Sequence, residues 1–409
     1  MTRRAKQGHD VIIGAIGSGQ STYDAAARTE GVSGASAGLN LILGNGDKQA
    51  NCPGLPMSTL RVLLLALAVA LSALAALVFW LATTPAAADD VYACGKASGE
   101  EAIAACTRAI DSGQYSGRQL AALFNNRCSE WNGKQESDRA IADCNQAIGL
   151  DPNYALAFFN HGNAYFNRGQ YDRAIEDYDQ SIRLNPNYAH AFNNRGNTYD
   201  NIGQRDHAIE DYSQAIRLNP KQADAFYNRG TVYDAAGEHD RAIEDFDQAI
   251  RLNPNRAHVF YNRGIAYKSK GQYDHAIEDY SQAIRLNPNY VNAFNNRGNA
   301  YGAKCEFDRA IEDFNQAIRL DPDHFESFNN RGAAYNAKGE FDRAIEDLNQ
   351  VIRLNPNYAI AFYNRGISWE RKNDLQRALA DLKRFSELAP SDPDGQKAIE
   401  RVTKTVSGL

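Results

Sequence analysis

Asparagine is the residue type that recurs where chemistry could be done. Asn160, Asn194, Asn228, Asn262, Asn296, Asn330 and Asn364 stand 34 residues apart. The residue before each is Phe159, Asn193, Tyr227, Tyr261, Asn295, Asn329 or Tyr363, and the residue three after is Asn163, Asn197, Thr231, Ile265, Asn299, Ala333 or Ile367. A carboxamide carries two N–H donors and a carbonyl acceptor, which can match the backbone of an extended peptide without reading its side chains. The same side chain also suits packing between successive repeats, so the row admits both readings. A second series runs in step with it. Arg195, Arg229, Arg263, Arg297, Arg331 and Arg365 each follow an asparagine, and the units carry acidic residues in step with them, as an acidic pair such as Glu210-Asp211 or as Asp381 alone in the last. Arginines whose stems lie on apolar surface and whose heads meet those carboxylates explain this row without a ligand. His161 interrupts it.

Other chemistry finds little support. The eight histidines are scattered, and no H-E-x-x-H or G-x-S-x-G motif appears. "GAIGSGQST" (Gly14–Thr22) lacks the lysine that a phosphate loop uses, and no strand–loop–helix pattern surrounds it. The six cysteines show no CxxC zinc spacing. The formal net charge of -6 argues against a nucleic-acid partner, whose footprint would be a basic stripe. The chain therefore reads as a non-enzyme without metal or cofactor.

The elements that position these rows follow from their period. Pro152, Pro186, Pro220, Pro254, Pro288, Pro322, Pro356 and Pro390 fall on it, and a fixed period in this range means a stack of repeated units. In Ala189–Gln222, Phe192, Gly196 and Tyr199 lie four and three apart, which is one helical stripe. Gly203 suits the left-handed residue past a helix end. Ala208, Ile209, Tyr212, Ala215 and Ile216 form the stripe of a second helix, which Asn219-Pro220 stops. The aromatic positions read as core, and the small residues at Gly196 and Ala208 mark close helix approach.

The pattern F-x2-R-G-x2-Y…A-x3-[YF]…P at this period resembles the tetratricopeptide repeat. Eight units cover 121–392. The resemblance implies an all-α, right-handed superhelical solenoid of antiparallel helix pairs, in which the first helix of each pair lines a concave face. It places the asparagine row on that face, with Tyr227, Tyr261 and Tyr363 beside it, and some family members hold peptides on such an asparagine ladder. It implies a protein–protein interaction scaffold whose partner is a protein or extended peptide. The alternative is an accessory of envelope polysaccharide binding or export, since Tyr and Asn also suit sugar rings. The two-carboxylate clamp of chaperone-binding relatives needs Lys or Arg where this chain has Asp224 and Asn228.

The flanks are read separately. Residues 1–56, rich in Gly, Ala and Ser, read as a disordered leader or non-native extension, with Met57 as an alternative start. In 57–88, Arg61 precedes the uncharged run Val62–Ala82, and "AAA" at 86–88 offers a cleavage site. A cleaved signal peptide and an uncleaved transmembrane anchor both fit. Either exports the repeats, most simply to a bacterial periplasm, with membrane contact only through 62–82. Residues 89–120 read as a capping half-repeat whose first helix is missing or degenerate. Across it, Cys94 and Cys106 could bridge the incoming strand to the cap helix, or Cys106 could simply fill an apolar slot. Cys128 and Cys144 occupy slots held later by Gly and by Tyr or Phe, and a bridge there needs Cα atoms within about 7 Å. Cys305 replaces a turn glycine and has no evident partner. Residues 393–409 read as a capping helix and tail.

Overall fold

The computed structural model describes residues 89–407. The readings made for 1–56, 57–88 and the apolar run 62–82 lie outside the described residues. Within them the regular structure is helical, with no strand. Residues 89–96 are helical, followed by α1 (Gly99–Asp111), α2 (Gly117–Gly133), α3 (Ser137–Leu150), α4 (Ala155–Asn167), α5 (Tyr171–Leu184) and α6 (Ala189–Asn201). Next come α7 (Arg205–Leu218), α8 (Ala223–Ala235), α9 (His239–Leu252), α10 (Ala257–Ser269), α11 (Tyr273–Leu286) and α12 (Val291–Ala303). The chain closes with α13 (Phe307–Leu320), α14 (Phe325–Lys338), α15 (Phe341–Leu354), α16 (Ala359–Arg371), α17 (Leu375–Leu388) and α18 (Pro393–Ser407). The described residues divide into two compact units, the first running to 173 and the second starting at 174.

Short-range chemistry sets the helix ends. Gly203 has φ 78°, and the Gln204 N–H donates back to the Tyr199 carbonyl at 2.8 Å, closing the end of α6. Cys305 takes the same left-handed conformation, φ 60°, at an exposed turn between α12 and α13. At the other end of most pairs, the asparagine or aspartate before proline folds the chain over. The Asn219 carboxamide oxygen accepts from the Lys221 N–H at 3.2 Å, and Asn253, Asn287 and Asn355 do likewise two residues on.

In the second unit each pair closes where a glycine meets a bulky side chain. A Cβ on Gly196 would lie 2.9 Å from the Tyr212 ring, and on Gly298 it would lie 2.6 Å from Phe314. Only hydrogen fits there, so glycine is a packing requirement at these mid-helix positions despite its cost of roughly 1 kcal/mol relative to alanine. Tyr212, Phe246, Tyr280 and Phe314 are buried, with Leu348 and Leu382 taking the slot in the last two pairs. α18 covers the final pair, burying Ala398 and Val402 against Leu382.

At the start of the first unit, the described residues before α1, 89–96, are helical, so a short first helix stands where one was read as missing or degenerate. Asp90 accepts from Arg108 Nε at 2.9 Å, which seats this segment against α1. Cys94 is buried, although it lies in no apolar stripe, because it is bonded to Cys106 with Cα atoms 4.6 Å apart. Cys128 and Cys144 form a second disulfide across α2 and α3, with Cα atoms 5.6 Å apart. α2, α3 and α4 pack on one another in this unit.

Candidate functional site

The first helix of each pair carries the asparagine row, and the structure shows where its donors go. In the first unit Asn160 is buried, and its Nδ2 donates to Asn125 Oδ1 at 2.9 Å. In the second unit Asn228 Nδ2 donates to Asn193 Oδ1 and Asn197 Oδ1 at 3.2 and 2.9 Å. Asn262 donates to the Tyr227 hydroxyl at 2.9 Å and Asn296 to the Tyr261 hydroxyl at 2.8 Å. Asn330 and Asn364 donate to Asn295 and Asn329, each at 3.0 Å. One rule covers these contacts apart from the bond to Asn197: the carboxamide reaches back 35 positions to the residue just before the previous repeat's asparagine. Asn194 accepts from Asn193 Nδ2 at 3.2 Å.

Tyr227 and Tyr261 are therefore acceptors at repeat junctions as well as half-buried rings. Tyr227 meets His258 edge-on, with centroids 4.8 Å apart, and Tyr261 lies 4.8 Å from Tyr290. Burial holds the Tyr227 phenol above its ordinary pKa, partly offset by the Asn262 hydrogen bond. Tyr363 packs against Phe385 at 5.1 Å and lies beside α18.

Several polar residues on these same helices escaped the sequence reading. Lys268 Nζ donates to Asn296 Oδ1 at 3.2 Å, and burial lowers its pKa. His258 is pushed below the ordinary histidine value by burial and then by Arg256, with Asp224 opposing. Asp234 meets His239 at 2.7 Å, and Asp224 pairs with Arg256. A signal for them does exist in the chain. The slot of Lys268 holds Asp200, Asp234, Gly302, Asn336 and Glu370 in the other second-unit repeats, whereas the asparagine six residues earlier never changes. Positions that build a repeat stay constant within the array. Positions that vary are the ones free to carry specificity.

The arginine series is engaged internally. Arg195 grips Asp211 with Nε and Nη2 at 2.8 and 2.7 Å and also reaches Asp179. Arg229, Arg263, Arg297, Arg331 and Arg365 grip Asp245, Asp279, Asp313, Asp347 and Asp381 in the same two-point way. Each adds a bond to the second helix of the preceding pair, as Arg229 does to Ser213 at 2.9 Å. Two-point charge-assisted bonds fix orientation as well as supplying energy, so these arginines staple three helices together. Arg127 and Asp143 make the equivalent pair in the first unit. Among the described residues no cluster of His, Cys, Asp and Glu could hold a metal, and no helix is long and apolar enough to cross a membrane.

Comparison with known proteins agrees with this architecture. A family model described as TPR repeat matches 162–203, 201–237 and 266–304. Models described as tetratricopeptide repeat match 223–256, 291–324, 333–403 and 314–346. Together they span more than half of the chain. Among curated proteins, no relative matches. Solved structures that resemble it include YrrB, titled a TPR protein with an unusual peptide-binding site, at 26% identity over 46% of this chain and 96% of that one (TM-score 0.42). MamA is similar at 31% identity over 39% and 94% (TM-score 0.38). A tetratricopeptide repeat protein from Parabacteroides merdae is similar at 20% identity over 61% and 98% (TM-score 0.49).

Proposed function

This chain belongs to the tetratricopeptide repeat family, and on that premise we propose that it is a non-catalytic scaffold holding an extended peptide or protein partner along the first helices of its pairs. The observation that carries this reading is the contrast between constant and varied slots. The asparagines are constant and serve the junctions, and the neighbouring slots Asn197, Thr231, Ile265, Asn299, Ala333 and Ile367 differ from repeat to repeat. A face with a uniform polar frame and varied inserts suits a ligand that is itself a non-repeating polymer with regular backbone donors and acceptors. Export to an oxidising compartment accompanies this function. It is supported by the two disulfides within 94–144, which persist outside the reducing cytosol.

The test is a crosslinked pull-down from the native envelope with wild type and with an Ile265→Lys/Lys268→Glu variant, eluted with extended peptide or with soluble glycan. The reading expects a peptide-eluted partner, captured about tenfold less by the variant while it still unfolds in one cooperative transition. Equal capture by both proteins would move binding off this face, and elution by glycan alone would replace the peptide with a polysaccharide. Amino-terminal sequencing of the same bait reads a start at Asp89 or an intact leader.

A further inference from the structure

Six consecutive pairs in the second unit share one closing device, a glycine on the first helix against a bulky side chain on the second, such as Gly196 on Tyr212 and Gly264 on Tyr280. The α2–α3 pair of the first unit lacks it: Cys128 stands in the glycine slot and Cys144 in the bulky slot, and the disulfide spans the gap. The buried cluster there is Cys128, Ala140, Cys144 and Ala164, and the cluster at α1 is Cys94, Ala105, Cys106, Ala109 and Leu123. Among the largest fully buried side chains of the described chain, only Asn125 lies in this unit. Two local choices weaken the same pair further. Gln135 sits at φ 61° in the turn where Gly203 sits in a later pair, a strain that Cys305 and Asn373 also carry but in pairs that keep the glycine device. Gly149 lies inside α3 at the slot where Arg217 and Arg251 extend α7 and α9, and glycine is a poor helix former.

The geometry points to a redox-conditional amino-terminal segment: the two bridges take the place of bulky-side-chain packing, so that reduction releases residues 89–150 while 174–409 stays folded. A cross-link acts chiefly by constraining the unfolded chain, and it matters most where a small apolar core leaves little else to oppose unfolding. Forming each bridge removes two protons and two electrons from a pair of thiols. The oxidant is a disulfide reagent. One cysteine thiolate displaces a thiolate from it to give a mixed disulfide, the second cysteine displaces the other, and the reagent leaves as two thiols. Excess dithiothreitol runs the exchange backwards and departs as its cyclic disulfide. The array is thereby complete at its amino-terminal end only after oxidation.

Hydrogen exchange on the full chain, with and without dithiothreitol, tests this, with thiols counted by alkylation mass. Protection of 89–150 is expected to fall by about 100-fold or more on full reduction while that of 174–409 holds within about threefold. A Cys128→Gly/Cys144→Tyr variant rebuilds the later repeats' device without sulfur. It is expected to keep α2 and α3 protected in reductant while 94–106 still opens. Unchanged protection of 89–150 in fully reduced protein would overturn the inference, as would loss spread equally through 174–409. A double variant as open as reduced wild type would also overturn it, because the bridge would then not be standing in for packing.

Discussion

At the scale of the residue, glycine and its facing ring carry the sharpest constraint. For Gly264→Ala two effects oppose each other. Alanine favours the helix by up to about 1 kcal/mol, while overpacking costs about 1–3 kcal/mol. The new Cβ would lie 2.7 Å from Tyr280 Cε1, and that ring is fully buried and cannot swing aside. The clash wins, and urea unfolding should show a net loss of about 1–2 kcal/mol. Gly332→Ala should be milder, since its nearest neighbour is Leu348 Cγ at 3.1 Å. Equal effects at the two sites would contradict the packing argument. The sequence already marked these glycines as close-approach points by their place in the stripe. It could not say which neighbour set the distance, because that neighbour arrives from the second helix.

At the scale of the element, repeats are joined by short polar contacts laid over apolar packing. Asn262 on α10 donates to Tyr227 on α8, and Asn→Leu there removes the donor at similar volume. The half-buried Tyr227 hydroxyl loses its partner, so the expected cost is about 1–2 kcal/mol, with faster amide exchange concentrated in α8 and α10. A variant as stable as wild type would return the asparagine row to the ligand. The exposed lysine–aspartate pairs, such as Lys338 with Asp308 at 2.5 Å, add little, because water and salt screen them. The arginine staples are different in kind, because their carboxylates are buried and each is held at two points.

At the scale of the whole molecule, a repeat array is nearly one-dimensional, so its stability approximates a sum over pairs and junctions. Deleting 257–290 removes one period and leaves Arg256 followed by Val291, with every slot in register. Asn296 then falls one repeat after Tyr227 and can donate to it as Asn262 did. The shortened chain should fold cooperatively, with a denaturant slope reduced in proportion to the surface lost. Aggregation or a broad, multi-step transition would show that the two repeats are not interchangeable.

The sequence by itself determined the period, the helical pairs, their turns and the family, because these rest on interactions within about 34 residues that every unit repeats. It also located the arginine–carboxylate pairing, since partners that recur in step betray each other. Only tertiary structure decided what the asparagines touch. A carboxamide has the same chemistry whether it faces a ligand or a neighbouring repeat, and the partner 35 residues away is set by how pairs stack. The same holds for Cys94. It lies on no apolar stripe and proved buried, because the short helix at 89–96 carries it onto Cys106, the partner that the sequence offered beside a plain apolar slot.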